Sequence, residues 1–201
     1  MMCPLVSNAR VCVCLWWVAG VVMGKPLCEL TDEQVERTMN VNCMAHFWVT
    51  RAFLPAMVQR DDGVVVGMSS LMGLMAGAAL TDYCASKWAV VGFLESVRLE
   101  MRRQRRWGVN TLAVCPFAVD TGMFSGIFRS DAADSWIRRT LFPFLVSKDV
   151  AASVVRSVYE RDSLLVLPWL LRCVAVPADV MMARWLVSHT VFVTHDTATL
   201  A

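Results

Sequence analysis

Residues 64–69, VVVGMS, form a continuous apolar run, and Ser69 and Ser70 fall at its C-terminal end. A run of this length and composition predicts a strand that is buried on both faces, as in a parallel sheet. A loop rich in glycine and alanine follows, and a helical pattern then extends from about residue 82 to about residue 104. The next apolar run, VNTLAVCP at 109–116, predicts another strand. Strand, helix and strand in this order predict a right-handed crossover between parallel strands.

The remaining segments repeat this alternation of strand and helix. Thr31 and Gln34 predict a capping box, and Asn42 lies in the middle of the helix that the box opens. The additional predicted elements are a strand at 11–18, a helix from Thr31 to about residue 59, a helix from Ser147 to Glu160 and a strand at 163–168. The first of these helices directs one face to the core, formed by Val35, Met39, Asn42, His46, Val49 and Phe53. We therefore expect an α/β fold with a doubly wound parallel sheet.

The composition limits the classes of function. The chain has 201 residues, 57% of them hydrophobic, which is enough for one domain with a sizeable core. Because 19 Lys and Arg face 17 Asp and Glu, the net charge is only +2, and we expect no nucleic-acid partner. The one basic cluster, at 102–106, precedes Gly108 and fits the C-terminal end of a helix.

Cysteine and histidine usage argues against a metal site. The eight cysteines are scattered, with no CxxC pair and no histidine placed to complete a ligand set. Reduced, buried thiols fit this distribution better than disulfides, which favours a reducing environment. His46, His189 and His195 lack ligand spacing, so we expect structural or surface positions for them and no bound metal.

Both ends of the chain are strongly apolar. Residues 1–18 fit a weak signal peptide, a buried strand or an error in the gene prediction, and the density of valine and tryptophan favours the strand. Near the other end, charged residues interrupt the run LLVLPWLLRCVAVPADVMMARWLV, so it is not a clean membrane span. Its prolines, tryptophans and arginines fit a segment in the membrane interface, although a core or oligomer contact gives the same pattern.

The stretch TDYCASKWAVVGF, at 81–93, places a tyrosine four positions before a lysine. Residues at this spacing are neighbours on a helix, so the Lys87 ammonium can lie near the Tyr83 phenol and lower a pKa that is ordinarily about 10. The pair then becomes a proton-transfer group near neutral pH. Ser70, at the end of the predicted strand, can hydrogen-bond an alcohol or carbonyl oxygen. Because no side chain accepts the hydride that such an alcohol must also lose, the arrangement predicts a nicotinamide cofactor.

The same residues also have plainer interpretations. A tyrosine and a lysine at this spacing arise by chance in many chains, and Asn42 alone is more often a satisfied polar group in a helix. Small residues between Tyr83 and Lys87, together with a strand that ends in serine where a sheet crevice would lie, favour the catalytic interpretation.

Three stretches, GMSSLMG, YCASKWAVVGF and VCPFAVDTGMF, together resemble the short-chain dehydrogenase/reductase family. The stretch VNCMAHFWVTRAFLPAM is similar to the retinol dehydrogenase type 10 branch, whose relatives include 17-beta-hydroxysteroid dehydrogenases of the membrane and lipid-droplet type. The resemblance extends over about residues 19–187. It implies a nicotinamide cofactor, NADP or NAD, and a hydrophobic small-molecule substrate.

The resemblance also implies roles for individual residues. Tyr83 would be the catalytic acid and base, and Lys87 would lower its pKa, both residues also contacting the cofactor. Ser70 would position the substrate oxygen, and Asn42 would complete a proton relay through a water. The loop that receives the nicotinamide would include Pro116, Val119 and Thr121, with Thr121 as the partner of the carboxamide.

Several expectations about function follow from the resemblance. The first is oxidation of retinol to retinaldehyde, and the alternatives are a 17-beta-hydroxysteroid dehydrogenase or a non-catalytic fragment that pairs with a full-length relative or with a membrane. The expected location is the cytosolic side of the endoplasmic reticulum membrane or a lipid droplet, with the cytoplasm as the alternative. A homo-oligomer is compatible with all of these.

The sequence departs from the family's pattern near its start. The family's glycine-rich turn, where backbone groups approach the cofactor pyrophosphate, is not found, and residues 17–20 read WVAG where relatives have Asn-Asn-Ala-Gly. We therefore expect a partial Rossmann-like domain at 1–163 that lacks the first strands, followed by an apolar segment at 164–201. Such a domain would expose the edge of the strand at 11–18 and would bind cofactor weakly or not at all.

Overall fold

The computed structural model describes residues 14–121, 123 and 144–172. Within these residues, four parallel strands form one sheet, and their spatial order is the same as their order along the chain. The strands are β1 (Cys14–Trp17), β2 (Gly63–Met68), β3 (Val109–Pro116) and β4 (Leu164–Leu167). The predicted parallel α/β sheet is confirmed, and β1 lies at one edge of its described part.

Helices cover both faces of the sheet. They are α1 (Asp32–Met39), α2 (Ala45–Arg60), α3 (Thr81–Arg103) and α4 (Ser147–Glu160). On one face, Val65 and Ala113 belong to the same buried cluster as Leu94 of α3. On the other face, Val66 and Leu112 pack with Val154 of α4. Successive strand residues point to opposite faces, so the continuous apolar runs supply both cores.

The helix predicted from Thr31 is present but contains a π turn. Thr31 and Gln34 form the predicted capping box, with Thr31 Oγ1 accepting from the Gln34 N–H at 3.4 Å. The π turn covers Asn40–Met44 and joins α1 directly to α2. Because a π turn takes more residues than an α turn, it rotates the helix that follows. The expected burial of Phe53 is therefore wrong, since 37% of its surface is exposed, whereas Met57 is buried.

The loop between β2 and α3 packs tightly against α3. Ser69 Oγ donates a hydrogen bond to the Lys87 carbonyl at 2.8 Å. A Cβ atom placed on Gly73 would lie 2.3 Å from Ser69 Oγ and 2.7 Å from the same carbonyl. Glycine is therefore the residue that allows this approach, and the approach fixes Ser70 beside the start of α3.

The described residues contain five cysteines, of which Cys43, Cys84 and Cys115 are buried. No cluster of three metal-ligand side chains occurs among residues 14–121, 123 and 144–172. In the same ranges, no helix has the length and apolar character needed to cross a membrane. His189, His195 and the part of the apolar C-terminal segment beyond residue 172 lie outside the described residues.

Candidate active site

The predicted site residues lie where the carboxyl ends of β2 and β3 meet the first turn of α3. Ser70 follows the end of β2, Pro116 ends β3, and Tyr83 lies in the first turn of α3. Ser70 Oγ donates to the Pro116 carbonyl at 3.5 Å and accepts from the Met72 N–H at 3.2 Å. The carboxyl ends of parallel strands are the usual position of ligand crevices in such sheets.

Tyr83 and Lys87 occupy one buried face of α3, as their spacing predicts. Each is only 3% exposed, and Lys87 Nζ lies 5.6 Å from the centroid of the Tyr83 ring. Lys87 Nζ donates to the Met68 carbonyl at 2.9 Å, which holds it at the end of β2. The phenol, the ammonium and the Ser70 hydroxyl are therefore brought together.

Burial dominates the ionisation of both side chains. It raises the pKa of Tyr83 to about 12, against a lowering effect of the hydrogen bond with the Ser70 side chain. Burial also lowers the pKa of Lys87 to about 8, while the nearby Cys115 thiol opposes that change. The expected lowering of the Tyr83 pKa by Lys87 is not seen in the chain by itself, because removal of the phenolate from water is the larger effect.

Asn42 is fully buried and uses its side chain to hold the segment after β1. Its Nδ2 donates to the Val21 carbonyl at 2.9 Å and to Ser86 Oγ at 3.0 Å, and its Oδ1 accepts from the Val21 N–H at 2.8 Å. Asn42 therefore joins that segment to α3 beside Lys87. The relay role remains a prediction.

Ser86 also lies at the site, although only the small size of its side chain was considered from the sequence. Its hydroxyl is fully buried, donates to the Tyr83 carbonyl at 2.7 Å and accepts from Asn42 Nδ2. Ser86 thus connects Asn42 to the turn of helix that carries Tyr83. The available signal was a hydroxyl residue one position before Lys87, on the face of the helix that the pattern buries.

The loop after β3 lies beside the site with different degrees of exposure. Pro116 is buried, whereas Val119 is half-buried and pairs with Leu145 in a single parallel bridge. Thr121 is exposed, and its Oγ1 donates to the Val119 carbonyl at 3.4 Å. The structure therefore places the buried end of this loop at the site and Thr121 on its exposed continuation.

Gly20 and His46 line the inner side of the site. A Cβ atom on Gly20 would lie 3.5 Å from both Lys87 Nζ and Asn42 Oδ1 and 3.7 Å from Met123 Cε, so a side chain at this position would contact the lysine. His46 is buried, in keeping with a structural position, with its ring 6.2 Å from that of Trp17. Burial and then the charge of Lys87 lower the pKa of His46 to about 4, although the carbonyls of Cys43 and Asn42 oppose this. Neither ring nitrogen has a hydrogen bond of normal geometry with a described residue.

Several curated proteins that are similar to this chain are named retinol dehydrogenase 10. Retinol dehydrogenase 10 of Homo sapiens is 49% identical over 127 residues, which cover 63% of this chain and 35% of the relative. The Xenopus tropicalis protein of the same name gives the same figures. Retinol dehydrogenase 10-B of Danio rerio is 50% identical over 108 residues, covering 54% of this chain and 32% of the relative. The chain therefore spans about a third of the length of these relatives.

Comparison with solved structures supports the same fold. A mutant 4-hydroxyisoleucine dehydrogenase complexed with NADH and succinate superposes with a TM-score of 0.67 at 23% identity, covering 77% of this chain and 65% of that chain. The same enzyme complexed with NADH gives a TM-score of 0.63 at 22% identity. Residues 11–132, more than half of the chain, match the sequence profile described as short chain dehydrogenase. This chain belongs to the short chain dehydrogenase family and, within it, is similar to retinol dehydrogenase 10.

Proposed function

We propose that this chain carries the catalytic residues of an NAD(P)-dependent oxidoreductase that interconverts a hydrophobic alcohol and its carbonyl compound. The observation that carries the proposal is the convergence of Ser70, Tyr83 and Lys87 at the carboxyl end of the sheet. The phenol and the ammonium share one buried face, and the Ser70 hydroxyl hydrogen-bonds the Tyr83 side chain. Membership of the dehydrogenase family supports the same reaction class.

The residues present fit the nicotinamide end of the cofactor. Lys87 Nζ and the Tyr83 hydroxyl would offer hydrogen bonds to ribose hydroxyls, and Gly20 presents no side chain toward Lys87 Nζ. Pro116, Val119 and Thr121 would border the nicotinamide ring. When bound, NAD or NADP would supply or accept the hydride.

The chain's own residues would handle the proton. With a Tyr83 pKa of about 12, the phenol keeps its proton at neutral pH and can donate it to a carbonyl oxygen, whereas oxidation of an alcohol requires the phenolate, which accepts the alcohol proton. Ser70 would orient that oxygen, since a hydroxyl can both donate and accept. Lys87, with a pKa of about 8, is still charged at pH 7 and favours the phenolate that remains after the transfer. Asn42 would complete a relay that returns the proton.

The proposed substrate is retinol, oxidised to retinaldehyde, and a 17-beta-hydroxysteroid is the alternative. Similarity to retinol dehydrogenase 10 supports the first. The carboxyl edge of the sheet also exposes apolar side chains, namely Val18, Met123, Phe144, Trp169 and Leu170. Exposed apolar side chains of this kind suit contact with a hydrophobic substrate.

One set of measurements tests this proposal. Purified protein is titrated with NADH and NADPH, and turnover of retinol, retinaldehyde and a 17-beta-hydroxysteroid is followed with each cofactor. Saturable binding and retinoid turnover that both depend on Lys87 and Tyr83 support it. Steroid turnover alone would replace the substrate assignment, and an absence of binding and turnover would favour the second candidate.

The second candidate is a non-catalytic chain that pairs with a full-length relative or with a membrane. The observation in its favour is that β1 lies at one edge of the described part of the sheet, and a strand edge is a position where another chain can pair. Light scattering of the chain alone, and mixed with human retinol dehydrogenase 10, distinguishes the possibilities. Species of one chain in both samples would exclude pairing with the relative and leave only the membrane.

A location at the endoplasmic reticulum membrane or at a lipid droplet is part of the same proposal. It relies on the similarity to retinol dehydrogenase 10 and on the apolar composition of 164–201. Deletion of residues 173–201 in cells is expected to move the protein from the membrane fraction to the soluble fraction. An unchanged distribution would contradict a membrane role for this segment, and a cytoplasmic location of the intact chain would contradict the proposed site.

A further inference from the structure

Two buried hydrogen bonds between side chains join the helical segment that begins with α1 to helix α3. The Thr38 hydroxyl donates to Asp82 Oδ2 at 2.7 Å, and Asn42 Nδ2 donates to Ser86 Oγ at 3.0 Å. In each pair, the two residues are 44 positions apart in the sequence. Both residues of the second pair therefore lie four positions after those of the first pair. The two segments therefore run parallel, with one bond per turn. We call these bonds the first and second rungs.

The two rungs hold the turn of helix that carries Tyr83. Asp82 immediately precedes Tyr83, and Ser86 donates to the Tyr83 carbonyl at 2.7 Å. Helix α3 needs this support, because its N-cap residue, Leu80, makes no hydrogen bond through its side chain to the helix. A helix end without a cap leaves its first N–H groups unsatisfied and opens readily. The rungs do not bond these N–H groups, but they hold the first two turns of α3 against the segment that begins with α1.

The first rung is a single hydrogen bond, which the Thr38 hydroxyl donates. Thr38 is fully buried and Asp82 is 5% exposed, so water does not replace a lost partner easily. The Thr38 hydroxyl also lies 3.0 Å from the Gln34 carbonyl, but the shorter contact is with the carboxylate, which is the stronger acceptor. The other carboxylate oxygen, Asp82 Oδ1, is buried and has no hydrogen-bond partner among the described residues.

We propose that Thr38 and Asp82 are positioning residues for Tyr83, because the rung between them keeps the phenol buried against Ser70 and Lys87. The catalytic consequence rests on the proposed function, whereas the position of the phenol does not. Loss of the rung frees the first turn of α3 and lets water reach the ring. In an active enzyme, the same change lowers kcat with little effect on KM, since the substrate's apolar contacts are retained.

The position of the phenol can be measured without cofactor or substrate. The chain has two tyrosines, of which Tyr83 is 3% exposed and Tyr159 is 76% exposed. In protein labelled with ¹³C-tyrosine, a soluble paramagnetic probe relaxes an exposed ring much faster than a buried one. Tyr83→Phe assigns the two signals. We expect Thr38→Val to raise the probe-induced relaxation of Tyr83 by about threefold or more and to leave Tyr159 unchanged.

Two control variants make the test specific. Thr38→Ser keeps the hydroxyl and is expected to restore the native protection of Tyr83. Thr111→Val removes another buried hydroxyl that bonds α3, at the Leu94 carbonyl at 3.0 Å, about three turns beyond the tyrosine. It is expected to destabilise the protein while Tyr83 stays protected.

Three outcomes would overturn the inference: native protection of Tyr83 in Thr38→Val, equal exposure in Thr111→Val, or failure of Thr38→Ser to restore protection. If Thr38→Val does not fold, Asp82→Asn weakens the same rung by removing the charge of the acceptor. Partial exposure of Tyr83 is then expected, and unchanged protection contradicts the proposal. An inactive native chain counts against the proposed function alone, since these relaxation measurements require no turnover.

Discussion

Lys87 Nζ lies 5.6 Å from the centroid of the Tyr83 ring, and both side chains are buried on the same face of α3. Burial moves their pKa values in opposite directions, to about 12 for the phenol and about 8 for the ammonium. Burial disfavours the charged form of each group, so both shifts have the same cause. The pair therefore holds a proton on the phenol and a charge on the lysine at neutral pH, which suits transfer of a proton to a carbonyl oxygen.

Substitution of the phenol is the most direct test of this arrangement. Tyr83→Phe keeps the buried ring and removes only the hydroxyl, so we expect turnover to fall by about 10²–10⁴-fold while the fold is preserved. Tyr159→Phe is the matched control, because it removes the only other phenol from an exposed position. Steady-state rates and far-ultraviolet circular dichroism check both variants. An unchanged rate in Tyr83→Phe would exclude the residue from the chemistry.

His46 predicts a specific loss of stability in acid. Its pKa is about 4 in the folded chain and 6.5 in an exposed histidine, so the unfolded chain binds the proton more tightly. The contribution to stability is complete above pH 6.5 and is lost as the pH falls toward 4, by about 3 kcal/mol. The charge of Lys87 adds to the cost of a second buried cation.

Urea unfolding at pH 7, 5.5 and 4.5 measures this effect. His46→Leu removes the titrating ring, so its free energy of unfolding should fall less steeply between pH 6.5 and 4 than that of the native chain. Carboxylates titrate in both proteins and cancel in the difference. Parallel curves for the two proteins would mean that His46 takes up its proton without opening the core.

We expect a larger side chain at position 20 to interfere with cofactor binding. Its missing Cβ faces Lys87 Nζ and Asn42 Oδ1, each 3.5 Å away, so a valine would fill the space over the lysine. We expect Gly20→Val to weaken NADH or NADPH binding by about tenfold or more. Gly92→Ala is the control, because nothing lies within 4 Å of its added Cβ. It should leave binding intact and stabilise helix α3 by about 1 kcal/mol. Equal binding by both variants would place the nicotinamide elsewhere.

Local patterns were sufficient to predict the elements that frame the site. The strand Val109–Pro116 and the helix Ser147–Glu160 have the bounds expected from the sequence, because apolar runs and helical periodicity are local signals. The neighbouring positions of Tyr83 and Lys87 also follow from helix geometry alone. These features required no knowledge of how distant segments pack.

The features that sequence could not supply depend on how the helices pack. The π turn at Asn40–Met44 changes which side chains face inward, and no residue in this turn identifies it from the sequence. The bond between Thr38 and Asp82 requires the register of two helices, which a single sequence does not give. The direction of the Tyr83 pKa shift likewise depended on burial, whose magnitude is set by the tertiary packing.

The close packing of the loop before α3 leads to a final prediction about Ser70. A Cβ on Gly73 would lie 2.3 Å from Ser69 Oγ and 2.7 Å from the Lys87 carbonyl, a backbone atom that cannot move aside. Gly73→Ala must therefore push the loop away from α3, at a cost of about 1–3 kcal/mol in the free energy of unfolding. Because Ser70 lies on the same loop, its hydroxyl would also move away from Tyr83.

Gly77→Ala provides the comparison in the same loop. Its added Cβ would meet only the flexible ends of the Leu80 and Met72 side chains, both at 3.2 Å, so the expected loss is below about 1 kcal/mol. Urea unfolding measures both variants, and the relaxation of the Tyr83 ring by a soluble probe reports whether Ser70 has moved. Equal stability of the two variants would show that the loop can leave α3 at little cost, and a rigid placement of Ser70 would then have no support.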